Sequence, residues 1–313
     1  MRGKSTLENV INTVHEMSVN HYDETIPVKD MVFNDLTQMW IAGEQVEVLP
    51  SAQRLLANRL RVPYSYLSRC PSNLQAENLN YWIAQERKHR NTFFCRFSGR
   101  QLRAVFTERY KAIDNLEILA KMLENGFSPA QEVQYSLDQT MLVVKVPDYE
   151  RSFDVAVKDE VVPGVCLSNS EVGLLAFCIE CFMYRLVCSN GLISRTSVAL
   201  SRFKHISRKA IDQFDDILTQ VIINSKQRQD QFLISTKTPV DNPLETIGSF
   251  NRQFKVGKNE AEAVEAAWAY EPGYSMFSVI NAYTRAAQAA ELTVEEAYKL
   301  ERTGGQILAL VKN

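Results

Sequence analysis

The chain has 313 residues, 45% hydrophobic and 23% charged, with a formal net charge of −2. These proportions exclude a largely disordered chain and leave enough length for one or two buried cores. They also exclude a helical membrane span, because the most apolar run, Val172 to Val187, is short and carries Glu180 and Arg185.

The first residues lack a long apolar run of the export type. The expected compartment is therefore the cytoplasm, where the six cysteines stay reduced and form no disulfide framework. In chain order, Leu7, Val10, Ile11 and Val14 predict a short helix over 6–17, capped by Ser5 or Thr6. Ile26 to Phe33 reads as a strand that Pro27 confines to an edge or a late start. Ser51 is expected to cap a helix ending near Leu60, before Pro63.

A hairpin follows. Thr92–Phe97 and Leu102–Phe106 alternate about the turn Ser98-Gly99-Arg100. Strict alternation puts Leu102, Ala104 and Phe106 on one face and Arg103 and Val105 on the other. Asp114 and Glu117 have the spacing of a capping box for a helix that Gly126 ends. Val133–Leu137 and Met141–Val146 form a second hairpin, and further strands run to about Ile193.

From Ser207 the apolar period becomes helical. A long helix is expected to about Phe232, then a linker at Thr236–Pro243, then helices over 244–254, 260–269, 275–290 and 294–311. Gly304-Gly305 weakens the last of these. The fold class expected is α+β, an antiparallel sheet core built of hairpins with a capping helix, followed by a helical C-terminal region. The division expected is an N-terminal extension over 1–50, a core over 51–206 and a helical part over 207–313.

The near-zero net charge hides an asymmetry. Ser51 to Lys111 holds twelve Lys or Arg against three Glu, and Arg87 to Lys111 alone holds eight against Glu108. Asn259 to Glu301 reverses this, with eight Glu against Arg285 and Lys299. A basic middle beside an acidic helical tail points to a polyanion-binding core. The expected contacts are Arg96, Arg100, Arg103, Arg109 and Lys111 for phosphates, with Tyr110 or Phe94 to stack bases. Arg195, Arg202 and Lys204 extend this track if the sheet gathers them. Phe93, Phe97 and Phe106 belong to the core.

No phosphate-binding loop, dinucleotide fingerprint, zinc-protease or nucleophile-elbow motif is present. Cys178-x-x-Cys181 with Cys188 lacks a fourth ligand, the closest histidine being His205, so no metal and no cofactor are expected. Asn169-Ser170-Glu171 and Ser189-Asn190-Gly191 read as turns. If either is functional, Glu171 and Arg185 are the residues to test.

Four phrases appear in order: "TERYKAIDN" (Thr107–Asn115), "LSNSEVG" (Leu167–Gly173), "YRLVCSNGLI" (Tyr184–Ile193) and "FSVINAYTRAAQ" (Phe277–Gln288). Together they resemble the phage- and plasmid-associated family of domain of unknown function 932. The resemblance implies a mobile-element origin and a connection with DNA transactions, and it brings no established chemistry. The function expected is a non-enzymatic nucleic-acid-binding protein holding single-stranded DNA in recombination or replication, with an annealing-type role. It involves no membrane and leaves self-association open. Two alternatives stand beside it: an element-encoded protein-interaction module that inhibits host defence, and an enzyme with a pocket gathering Glu171, Arg185 and Asn190.

Overall fold

The computed structural model describes residues 1–156, 159–186, 190–194 and 209–311. The elements in chain order are β1 (Arg2–Thr6), α1 (Leu7–Ser18), β2 (His21–Pro27), β3 (Met31–Phe33), β4 (Gln38–Ile41), β5 (Glu44–Val48), α2 (Pro50–Arg59), α3 (Tyr64–Leu67) and α4 (Ser72–Glu86). There follow β6 (Thr92–Ser98), β7 (Gln101–Phe106), α5 (Asn115–Glu124), β8 (Glu132–Leu137), β9 (Leu142–Pro147), β10 (Phe153–Ala156), β11 (Asp159–Asn169), β12 (Cys178–Arg185) and β13 (Asn190–Ser194). The helical region holds α6 (Lys209–Asp212), α7 (Phe214–Lys237), α8 (Pro243–Gln253), α9 (Lys258–Tyr270), α10 (Met276–Ala286) and α11 (Val294–Leu308). The class is α+β, as the periodicities indicate.

Two sheets organise the chain. One has six strands in the order β2-β6-β7-β5-β4-β3, with β5 and β7 parallel and the other pairs antiparallel. The other is antiparallel, in the order β1-β8-β9-β11-β12-β13, with β10 also on β11. Pro27 lies in the edge strand β2, where its missing N–H costs no ladder bond. Residues 1–50 are not an extension. They supply β1 to one sheet, β2 to β5 to the other, and α1 with Leu7, Val10 and Val14 to the larger core. The strand expected over Ile26–Phe33 is broken by a turn at Val28–Asp30 into the end of β2 and β3. The other strands here are too short to announce themselves, and the β4–β5 turn needs positive φ at both Ala42 and Gly43.

The six-stranded sheet packs Phe93, Cys95, Phe97 and Leu102 against Leu56 of α2 and Leu79 of α4. No helical signal marked α4, because only Leu79 and Ile83 of its fifteen residues are buried. The seven-stranded sheet is buried on both faces. Val144, Leu167, Ile179 and Met183 meet the helices, including Val14 of α1, Leu119 of α5, Val221 of α7 and Ile280 of α10. Val143, Cys166 and Phe182 on the other face meet Val294 and Tyr298 of α11. Burial of each such side chain stabilises the fold by about 1.5–3 kcal/mol. Cys178 and Cys181 lie on β12 at positions of opposite facing, and Cys188 lies outside the described residues.

Three local expectations change. Ser51 does not cap α2; Leu49 is the N-cap, Pro50 opens the helix, and the Ser51 hydroxyl donates to the Arg103 carbonyl at 2.6 Å. Gly191 is no turn but lies in β13 opposite Tyr184, where a Cβ would stand 2.7 Å from the Phe182 ring. Gly304 does not break α11; a Cβ there would meet Thr284 Cγ2 at 3.0 Å, so the glycine lets α10 and α11 approach.

Candidate nucleic-acid interface

The basic hairpin forms as β6 and β7, but with a bulge. Arg96 pairs with Ala104 and Phe97 with Leu102, leaving Arg103 as the extra residue. One added residue reverses the facing of everything beyond it. Val105 therefore joins Cys95 in the core, while Phe106 turns away to stack on Tyr110 at 3.8 Å. The alternation expected for Ala104, Val105 and Phe106 is overturned by this bulge.

Arg103 is aimed into the junction between the two sheets. Its Nη2 donates to Glu171 Oε2 at 2.7 Å and its Nη1 lies 3.0 Å from His21 Nδ1. An arginine can only donate, so that imidazole nitrogen accepts and the other carries the proton. Arg96 donates to Asp23 at 2.9 Å, to the Glu171 carbonyl at 3.2 Å and to Asp114. Asp114 is thus diverted from the capping box expected for α5, and Glu171 Oε1 takes its place by accepting the Asn115 N–H at 2.8 Å. The Asn169-Ser170-Glu171 segment is a turn, with Gly173 at φ +78° beneath Phe106, and it locks the junction.

Burial alone drives the Glu171 pKa up, but the Arg103 charge, the Asn115 N–H and Arg96 hold it below the usual carboxylate range. Burial, then the Arg103 charge, lowers the pKa of His21. Burial works against the Arg96 charge, yet Asp114, Tyr110 and Asp23 raise its pKa above normal.

These contacts correct the expected site. Arg96 and Arg103 are 3% and 4% exposed and already paired with acids, so they are closed to phosphates. Tyr110 is buried, its ring on Phe106 and its hydroxyl donating to the Glu171 carbonyl at 3.3 Å, so it is closed to bases. Arg100, Arg109 and Lys111 are exposed. Arg195, Arg202 and Lys204 lie outside the described residues. The pocket imagined around Glu171, Arg185 and Asn190 does not assemble. Arg185 pairs with Asp159 and Glu271 beside the start of β11, while Glu171 lies past its far end, about 25 Å away at the usual rise per residue. Asn190 stands beside Arg185 in the ladder.

A different part of the basic stretch does converge. An open groove of about 660 Å³ runs between the end of α2, α4 and the end of β7. Arg59 and Arg61 come from α2 and its turn, Trp82 from α4, His89 and Arg90 from the segment after it, and Phe106 from β7. Arg61 holds φ at +60°, which turns the chain sharply at that wall. Trp82 is 43% exposed, and the adjacent Tyr81 packs edge-on to it at 5.2 Å. Glu86 pairs with Arg90 at 3.1 Å, while Arg59 and Arg61 have no acidic partner among the described residues. Partial burial, then the nearby Arg90 charge, lowers the Arg59 pKa, with Glu86 opposing. Three guanidinium groups, of Arg59, Arg61 and Arg90, thus share the groove with one carboxylate, that of Glu86.

Arg59, Arg61 and Arg90 all belong to the Ser51–Lys111 excess. The charge count located the region, but two of the members that hairpin alternation selected, Arg96 and Arg103, are buried against acids.

A family model matches residues 103–296, more than half of the chain. The chain belongs to the family Domain of unknown function (DUF932). The DUF932 segment takes in the bulge at Arg103, the Glu171 turn and the helices through α10, while the cations of the groove precede it. Comparison with curated proteins and with solved structures gave no match.

Proposed function

We propose that this DUF932 chain binds single-stranded nucleic acid, single-stranded DNA foremost, along the groove walled by α2 and α4. The observation that carries the proposal is the crowding of Arg59 and Arg90 beside Arg61 and an exposed Trp82, with only Glu86 to offset them. A phosphate relieves the repulsion between the two guanidinium groups and releases the counterions around it. Trp82 offers a base a flat surface, an interaction of about 1–3 kcal/mol per base. The roles are division of labour: Arg59, Arg61 and Arg90 hold phosphates, and Trp82 stacks. Arg100, Arg109 and Lys111 are exposed cations on the same stretch of chain and serve strands longer than the groove. The DNA connection implied by the family resemblance agrees with this assignment.

Fluorescence anisotropy with a labelled single-stranded oligonucleotide, its RNA counterpart and the matching duplex tests the proposal. The affinity for single strands should fall steeply with salt. R59A/R61A should reduce the slope of log K against log salt by about 1.4, two contacts at about 0.7 each. No salt-sensitive binding at low ionic strength, or an R59A/R61A titration that overlays the wild type, refutes it. Tighter binding of RNA or of the duplex corrects the class of nucleic acid.

A further inference from the structure

We infer that the cavity between the seven-stranded sheet and α11 is a binding site for a small oxyanion, the phosphate or carboxylate group of a metabolite. The site is separate from the basic groove and does not depend on it.

The observation begins with the register of the sheet. Lys4 pairs with Gln134, Gln134 with Lys145, Lys145 with Cys166 and Cys166 with Glu180, so the five form one row across five strands. Residues paired in this way face the same side, and this side meets α11. At the β12 end the row is partnered: Glu180 accepts from the Tyr298 hydroxyl at 2.8 Å and lies 3.0 Å from Arg302. At the β8 end it is not. The amide nitrogen of Gln134 is buried without a hydrogen-bond partner. Lys145, 7% exposed, donates to Glu301, which uses one of the three N–H groups of an ammonium.

Gln134 and Lys145 both line a cavity of about 180 Å³, bounded also by Arg2 and Lys4 on β1 and by Glu301. Three cations against one carboxylate leave an excess of two positive charges. Arg2 is anchored on the carbonyls of Ala287, Ala289 and Leu292, which fixes its charge at the rim. Lys4 lies 3.7 Å from Glu132, but both are about half exposed, and such a pair is weakly held. Water satisfies orphan donors in an uncharged cavity. An oxyanion satisfies the same donors and the charge excess together. Bound there, it joins the edge strand β1 to α11 across the sheet face.

The test uses the full chain, with inorganic phosphate and succinate as probes and chloride as the control at constant ionic strength. Thermal unfolding should shift upward in a saturable way with one probe and not with chloride. Succinate as the effective probe identifies a carboxylate ligand, and phosphate identifies a phosphorylated one. K4M/Q134L, which removes one rim charge and the orphan donor without touching the Lys145–Glu301 pair, should weaken the effect about tenfold or more, the scale of one lost hydrogen bond to a charge. Amide exchange in Val294–Leu308 should slow when the probe binds. R59A/R61A should leave the shift unchanged. Absence of a saturable shift overturns the inference, as does a shift that K4M/Q134L retains. A shift lost in R59A/R61A instead assigns the anion to the groove, which overturns this site and leaves the nucleic-acid proposal intact.

Discussion

Replacement of Glu171 by glutamine probes the junction between the sheets most directly. The side chain is 7% exposed and its two oxygens have separate duties, one to Arg103 Nη2 at 2.7 Å and one to the Asn115 N–H at 2.8 Å. Glutamine keeps the size and one acceptor but removes the charge. Arg103, 4% exposed, is then left with neutral acceptors, the glutamine oxygen and His21 Nδ1, neither of which can neutralise it. Removal of one partner of a buried pair costs about 3–5 kcal/mol, because the remaining charge stays desolvated. The loss of a charged cap at the start of α5 adds about 1 kcal/mol. Chemical denaturation followed by circular dichroism should therefore show E171Q destabilised by about 4 kcal/mol or more. R103M/E171L should recover much of the loss, since it removes the stranded charge together with its partner. A cost below about 1 kcal/mol for E171Q, or a double variant as unstable as the sum of the singles, would refute the view of this pair as a structural lock.

Three further outcomes are expected. The depressed His21 pKa means that the unfolded chain takes up the proton more readily, so the contribution of this imidazole is fully present above the ordinary value of about 6.5 and is lost as pH falls through the lower folded value. Unfolding free energies measured from pH 7 to 5 should fall more steeply in the wild type than in H21Q, and parallel curves contradict the sign. G173A should cost about 1–3 kcal/mol in denaturant titrations, because φ is +78° and the new Cβ would stand 2.7 Å from the Phe106 ring. Burial pushes the thiols of Cys95 and Cys181 up to about 12, so iodoacetamide at pH 8 should label the partly exposed Cys70 in the native chain and leave those two unmodified, as read by peptide mass spectrometry.

The hairpins at 92–106 and 132–147 were legible because two-residue alternation and turn residues act over a few positions. The C-terminal helices were legible because a 3.6-residue apolar period persists over three or four turns. The strands β4 and β5 were not, being four and five residues long and sorted into a sheet only by pairing with β7, and β3 reads from the sequence as one strand with the end of β2 over Ile26–Phe33. The bulge at Arg103 was not legible either. It inserts one residue into an unbroken alternation, and nothing local to "QLRAVF" marks where the period slips.

The sequence by itself determined the class of the fold, its membership of DUF932 through phrases such as "NSEVG", and the stretch of chain in which positive charge accumulates. Only the tertiary structure decided which of those charges meet solvent. Arg96 and Arg103 are drawn under Asp23, Asp114 and Glu171, residues up to 75 positions away, while Arg59, Arg61 and Arg90 are left around a groove. The reason is that charge is counted along the chain, whereas the energy of a charge depends on its neighbours in space and on the water that they displace.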